Sequence, residues 1–188
     1  LVGDFCRRHP DVHVALEVAD REHIVARMRA DQDDLYVLLY PPEDLQVESH
    51  PLIDNELVVI APLGHWAVQR RVDLAELRGE RFILREAGSG SRRTIDNHLA
   101  KTGIQLDIKL TVSSNEAIRE LVASGAGLAV LSRQALSADP GQQEVCILDV
   151  GGFPLRQPWL IMHRRSKLLS LPARAFLDEL LRRPQVPC

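Results

Sequence analysis

The residues Gly88-Ser89-Gly90-Ser91-Arg92-Arg93 carry the densest chemistry in the chain: two hydroxyls, two guanidinium groups, and glycines that let backbone N–H groups come close to a ligand. They follow the apolar run Phe82-Ile83-Leu84 and precede Ile95 and Leu99 at helical spacing, so they fall where a strand ends and a helix begins. A helix start offers unpaired N–H donors and the positive end of the helix dipole, and both favour an anion. The dipole supplies only ~0.3–1 kcal/mol, which leaves selectivity to the serines and an arginine. The same residue types also fit a plain structural role, with Ser91 capping the helix and the glycines making a tight turn. Ser113-Ser114-Asn115-Glu116 is a second polar stretch of this kind. An S-x-x-E capping box accounts for Ser113 and Glu116, yet the stretch also follows a strand, and ligands collect at strand carboxyl ends in open α/β sheets.

Other chemistries lack their patterns. Gly125-Ala126-Gly127 has no third glycine and precedes a strand instead of following one, and Arg93 stands where the Ser89 loop would need that glycine. Ala87 replaces the first glycine of a G-x-S-x-G nucleophile elbow. The seven histidines show no H-E-x-x-H pairing, so no metal centre is expected. Cys6, Cys146 and Cys188 are widely spaced, which suggests neither a disulfide framework nor a zinc site and fits a reducing cytoplasm. No catalytic residue and no cofactor is called for.

The elements that must position these residues alternate along the chain. Leu1, Val2, Phe5 and Cys6 share a helical face that stops at His9-Pro10; Val12, Val14, Leu16 and Val18 then alternate as in a strand; Ile24, Val25 and Met28 return to helical period. Leu35 to Tyr40 is apolar throughout, as in a strand covered on both faces. Leu57 to Ile60 gives a strand, and Asp73 caps a short DLAEL helix. After the strand at Phe82 comes a helix ending at Gly103, then Ile104, Leu106, Ile108, Leu110 and Val112 in strict alternation. Ile118, Leu121 and Val122 mark a helix that stops at Gly125, and Leu128 to Leu131 the next strand. Val145 to Val150 and Trp159 to Met162 close the strands; Ser170 caps a last helix with Pro172 in its first turn and Phe176, Leu177, Leu180 and Leu181 facing inward. This order predicts an α/β fold with mostly parallel sheets.

With 23 Lys and Arg against 26 Asp and Glu, a net charge of −3 and no basic tract, the chain does not track a phosphate backbone by itself; Arg164-Arg165-Ser166-Lys167 reads as a solvated turn. No apolar run approaches the ~20 residues that cross a bilayer, and the N-terminus lacks the order of a secretion signal. The chain enters an amphipathic pattern directly at Leu1, as a piece of a longer protein would.

Several segments together resemble the regulatory domain of LysR-type transcriptional regulators. They are Phe5-x4-Pro10 followed by Val12-x-Val14; Asp34 before its apolar strand; Glu56-Leu57-Val58-Val59-Ile60-Ala61-Pro62 with His65 close behind; Phe82-Ile83-Leu84-Arg85-Glu86-Ala87-Gly88-Ser89-Gly90; Ser114-Asn115-Glu116-Ala117-Ile118-Arg119, leading to Val122-Ala123-Ser124-Gly125-Ala126-Gly127; and Pro154-Leu155-Arg156. The REAGSGSR and SNEAIR words are similar to the branch that regulates carbon fixation and some sulfur and nitrogen genes. The resemblance implies a two-lobed fold like a type 2 periplasmic binding protein, with an effector cleft between lobes. Lobe I would take residues 1–62 plus 163–188 and lobe II residues 63–162, while a winged helix-turn-helix, a linker helix and the first strand of lobe I would lie upstream.

It also implies an effector site made of Ser89, Gly90, Ser91, Arg92 and Arg93, of Ser113, Ser114 and Asn115, and of Ala61 and Pro62. The expected partners are a small anionic metabolite, DNA through the missing N-terminal domain, and further copies of the chain, as a dimer of regulatory domains and a tetramer of the whole protein. No membrane is involved. The alternatives are the solute-binding protein of a transporter, which needs an export signal, and an enzyme on the same fold, which needs a cofactor cysteine or an acidic catalytic pair.

Overall fold

The computed structural model describes residues 1–136 and 144–182; Cys188 lies outside them. In chain order the elements are α1 (Val2–Arg8), α2 (Arg21–Arg29), β1 (Tyr36–Leu38), β2 (Val47–Ile53), β3 (Glu56–Pro62), β4 (Arg71–Val72), β5 (Arg81–Arg85), α3 (Gly90–Thr102), β6 (Asp107–Val112), α4 (Asn115–Ala123), β7 (Leu128–Ser132), β8 (Val145–Ile147), β9 (Asp149–Val150), β10 (Leu155–Arg156), β11 (Trp159–Arg164) and α5 (Leu171–Arg182). Two compact units result, the first from Leu1–Asp54 and the described residues from Pro158 on, the second from Asn55–Gln157. All of β3 belongs to the second unit, so the chain divides at Asp54/Asn55 and Gln157/Pro158, earlier on both passes than the expected breaks after Pro62 and Met162.

The first unit holds a three-stranded sheet ordered β1-β11-β2, antiparallel throughout. Val25, Met28, Tyr36, Leu38 and Met162 pack under α2, and Ile161 with Leu177 and Leu180 under α5. Asp20 caps α2 by accepting from the His23 N–H at 2.8 Å, and the Ser170 hydroxyl accepts from the Ala173 N–H at the start of α5. Leu181 is 41% exposed, so the inward face of α5 runs through Ala173, Leu177 and Leu180 and leaves Leu181 out.

Two expectations fail in this unit, each for its own reason. Residues 12–18 have the apolar alternation of a strand but pair with none among the described residues, and Leu16 and Val18 are 72% and 84% exposed. Alternation chooses a face, whereas a strand also needs a neighbour for its N–H and C=O groups. In β1, Tyr36 and Leu38 face the core under α2 while Val37 on the opposite face is exposed, so the run from Leu35 to Tyr40 is not covered on both faces.

The second unit is built on a sheet ordered β10-β3-β7-β5-β6, with β8 also paired to β3. Here β3 is buried on both faces: Leu57, Val59 and Ala61 join one core with Phe82, Leu84, Ile95 and Leu128, while Val58 and Ile60 join the other with Ile83, Ile118 and Val122. Its unbroken apolar sequence follows from that. The expectation of mostly parallel sheets is corrected. β5 is parallel to β6 and to β7 and β4 to β9, whereas β3 runs antiparallel to β7, β8 and β10. Parallel pairing needs a crossover, and helical crossovers occur at α3, between β5 and β6, and at α4, between β6 and β7.

Both crossover helices end on left-handed glycines, Gly103 at φ 69° and Gly125 at φ 83°. Gly127 has a different duty. A Cβ built there would stand 2.5 Å from the carbonyl oxygen of Arg81, so only glycine lets β7 begin beside β5. Gly127→Ala therefore destabilises the protein by about 1–3 kcal/mol, read from the urea midpoint, with Gly64→Ala in open space as the comparison that shifts it little.

Candidate functional site

The registers of the second unit bring its polar chain ends to one sheet edge. Arg85, the last residue of β5, pairs with Val112, the last of β6, and Ile83 with Ala129 of the parallel β7. Ser132 at the end of β7 pairs with Leu57 of the antiparallel β3, which places Asn55 and Gln157 at the same edge. The loop before α3 and the loop before α4 both leave from here, at the carboxyl ends of parallel strands where α/β sheets collect ligands.

At the first loop the helix cap is Ser89, not Ser91. Ser89 holds extended backbone (φ −64°, ψ 147°) and its hydroxyl accepts from the Arg92 N–H at 3.1 Å. It is only 6% exposed. Gly90, Ser91 and Arg92 then form the first turn, where the N–H groups have no intrahelical acceptor. The Arg92 guanidinium reaches back to the Arg85 carbonyl oxygen at 3.1 Å and donates through Nε to Asp96 at 2.9 Å. Arg93 lies on the exposed side of the same turn.

At the second loop the cap again shifts by register. Ser114 caps α4, accepting from the Ala117 N–H at 3.2 Å and donating to Glu116 at 2.8 Å. The capping box expected from Ser113 to Glu116 does not form, because the residue three beyond the cap is Ala117. Ser113 is thus exposed just outside the helix, released from the structural role that would have explained it. The backbone N–H of Glu116 and then the Ser114 hydroxyl hold the Glu116 carboxyl below its ordinary range.

Arg85 joins the two loops. Its Nη1 donates to Asn115 Oδ1 at 2.9 Å, while Nε and Nη2 donate to Glu86 at 2.8 and 2.9 Å. Ser89 to Arg92 and Ser114 to Asn115 therefore form one connected group, with Ser113 beside it.

Ala61 and Pro62 do not belong to this group. Ala61 is four residues along β3 from Leu57, roughly 13 Å at ~3.3 Å per residue, and lies at the opposite edge of the sheet, where Cys146 Sγ meets its carbonyl oxygen. β3 runs against its neighbours, so its N-terminal end faces the loops. Asn55 occupies that end and was missed. It is 1% exposed; Oδ1 accepts from the Ser132 hydroxyl at 2.6 Å, its carbonyl accepts from the Gln157 N–H at 3.0 Å, and Nδ2 has no hydrogen-bond partner among the described residues. The polar run Asp54-Asn55-Glu56 just ahead of the apolar residues from Leu57 on was the available signal. No group of three or more His, Cys, Asp or Glu that could hold a metal occurs among the described residues, and among them no helix is long and apolar enough to cross a membrane.

This architecture, with polar helix starts gathered at one sheet edge, is that of an α/β ligand-binding domain. The family model described as "LysR substrate binding domain" matches residues 1–185, and the chain belongs to that family. It is 35% identical over 181 residues to "HTH-type transcriptional activator CmpR" of Synechocystis, covering 96% of this chain and 60% of that protein. It is 38% identical over 181 residues to a "RuBisCO operon transcriptional regulator" of Acidithiobacillus ferrooxidans, covering 96% and 59%. The chain thus spans about three fifths of the length of these relatives. Among solved structures, the regulatory domain of CcmR from Synechocystis PCC6803 in complex with 2-PG superposes with a TM-score of 0.90 at 35% identity, covering 96% of this chain and 87% of that one. The effector-binding domain of QuiR in complex with shikimate superposes at 0.86 and 22% identity, which speaks for the fold alone.

Proposed function

We propose that this domain senses a small anion, a carboxylate or a phosphorylated metabolite, at the two linked helix starts of its second unit and thereby controls transcription by the longer protein that carries it. The joining of the α3 and α4 starts through Arg85 is the observation that carries this reading. Ser89, Gly90, Ser91 and Arg92 supply the first set of donors; Ser113, Ser114 and Asn115 supply the second; Arg93 adds positive potential from the exposed side. The CcmR complex with 2-PG makes that compound the first to test. Kinship with carbon-fixation regulators favours a sensor over a transport protein or an enzyme. Sensing requires binding without bond making, so no residue is assigned a catalytic role.

In the whole protein, the effect on DNA passes through a separate DNA-binding domain, in the cytoplasm and in an oligomer built on a dimer of domains like this one. A ligand moves a conformational equilibrium only by its differential affinity for the two states, and a near-complete reversal requires about 5.5 kcal/mol. A graded response requires less.

Thermal unfolding of the chain with and without 2-PG tests the assignment. Ligand present at a hundred times its Kd stabilises the folded state by about 2.7 kcal/mol, and the melting temperature rises accordingly. No rise with 2-PG, inorganic phosphate or any of a panel of small carboxylates would remove the anion-sensing assignment.

A further inference from the structure

We infer that Glu86 acts as a built-in competitor at the anion site and makes it reject simple monocarboxylates in favour of dianions; this rests on the anion-binding function proposed above. Successive side chains of a strand point to opposite faces. Arg85 and Glu86 nonetheless meet at two points, Nε to Oε2 at 2.8 Å and Nη2 to Oε1 at 2.9 Å, because β5 ends at Arg85 and the chain turns toward the Ser89 loop. The third side of the guanidinium holds Asn115. Arg85 therefore fixes the geometry of both helix starts while a carboxylate of its own chain already fills its fork.

An anion that uses this fork must displace Glu86. Two-point pairing of a guanidinium with a carboxylate is the same interaction whether the carboxylate is free or tethered. The tether gives Glu86 an effective concentration of the order of millimolar or more, so a free monocarboxylate gains no bond and loses the competition. A phosphate dianion brings more charge and an additional oxygen for the hydroxyls of Ser89 and Ser113. Glu120 on α4 is an exposed carboxylate whose described partner is Arg119; it touches neither Arg85 nor Arg92 there, which makes it the control for loss of a negative charge nearby.

The test is calorimetric titration of the 188-residue chain with sodium formate and with inorganic phosphate, at a pH where phosphate is mainly dianionic. Wild type prefers phosphate. Glu86→Gln tightens formate binding by roughly tenfold or more, each tenfold being about 1.4 kcal/mol, and changes phosphate binding much less, so the preference shrinks; Glu86→Ala does the same. Glu120→Gln keeps the wild-type ratio. An unchanged ratio in both Glu86 variants overturns the competitor role while leaving anion binding intact, and an equal change in Glu120→Gln overturns it as a general charge effect. Failure of the wild type to bind phosphate overturns this role, while the anion site itself falls only if 2-PG and the carboxylate panel fail as well.

Discussion

If the proposed anion site is right, replacing Arg92 with alanine is expected to lower the affinity for the probe 2-PG by roughly 10- to 100-fold, the equivalent of losing hydrogen bonds to a charged group worth about 1.5–3 kcal/mol. Arg92 is the one cation whose backbone N–H is received by the buried Ser89 cap and whose guanidinium returns to the end of β5. It is therefore held at the loop and not swinging in solvent. Its folding role is small: the pair with Asp96 is an i, i+4 contact to a side chain that is half exposed, and such pairs contribute about 0–1 kcal/mol. Calorimetry should thus show weakened binding while the melting temperature without ligand moves little. Arg93→Ala, on the exposed side of the turn, weakens binding less. Equal affinities for wild type and Arg92→Ala would place the ligand elsewhere.

The second large effect is on stability. Phe82→Ala costs about 3–5 kcal/mol, because Phe82 is fully buried in the core shared by β3, β5, β7 and α3 and pairs with Ile108 on one side and Leu128 on the other. Against the ~5–15 kcal/mol total of a typical domain, that loss is large. Leu171→Ala, at a side chain almost wholly exposed, stays within about 0.5 kcal/mol. Urea unfolding of the two variants separates them; a Phe82→Ala midpoint close to wild type would contradict the packing described for the second unit.

Legibility in the sequence followed local physics. The β5 to α3 passage was readable because an apolar run, a Gly-Ser loop, helical spacing and a left-handed glycine at Gly103 are all short-range signals. β3 was readable because burial on both faces demands an unbroken apolar run. β2 escaped notice: Glu48, His50 and Pro51 break the alternation, which an edge strand paired only with β11 tolerates. Residues 12–18 showed the opposite failure, a strand pattern with no described strand to pair with. Sequence spacing also misplaced both caps, giving Ser91 and Ser113 for Ser89 and Ser114, since capping depends on the backbone angles at one residue.

Ala61 and Pro62 lie away from the loops, and Asn55 was not singled out, because strand direction is not written in local composition. Composition marks where a strand lies but not which of its ends meets the loops; that is fixed by antiparallel pairing with a strand far along the chain. The polar loops could thus be found residue by residue, while their linkage through Arg85, Glu86 and Asn115 needed the fold.

The most direct test follows backbone amide signals of isotopically labelled protein by NMR as 2-PG is added. Saturable shifts concentrated at residues 89–92 and 113–115 are the expected result. Shifts gathered instead around Ala61 and Pro62 at the far edge of the sheet, or none at either serine-rich turn, would contradict it.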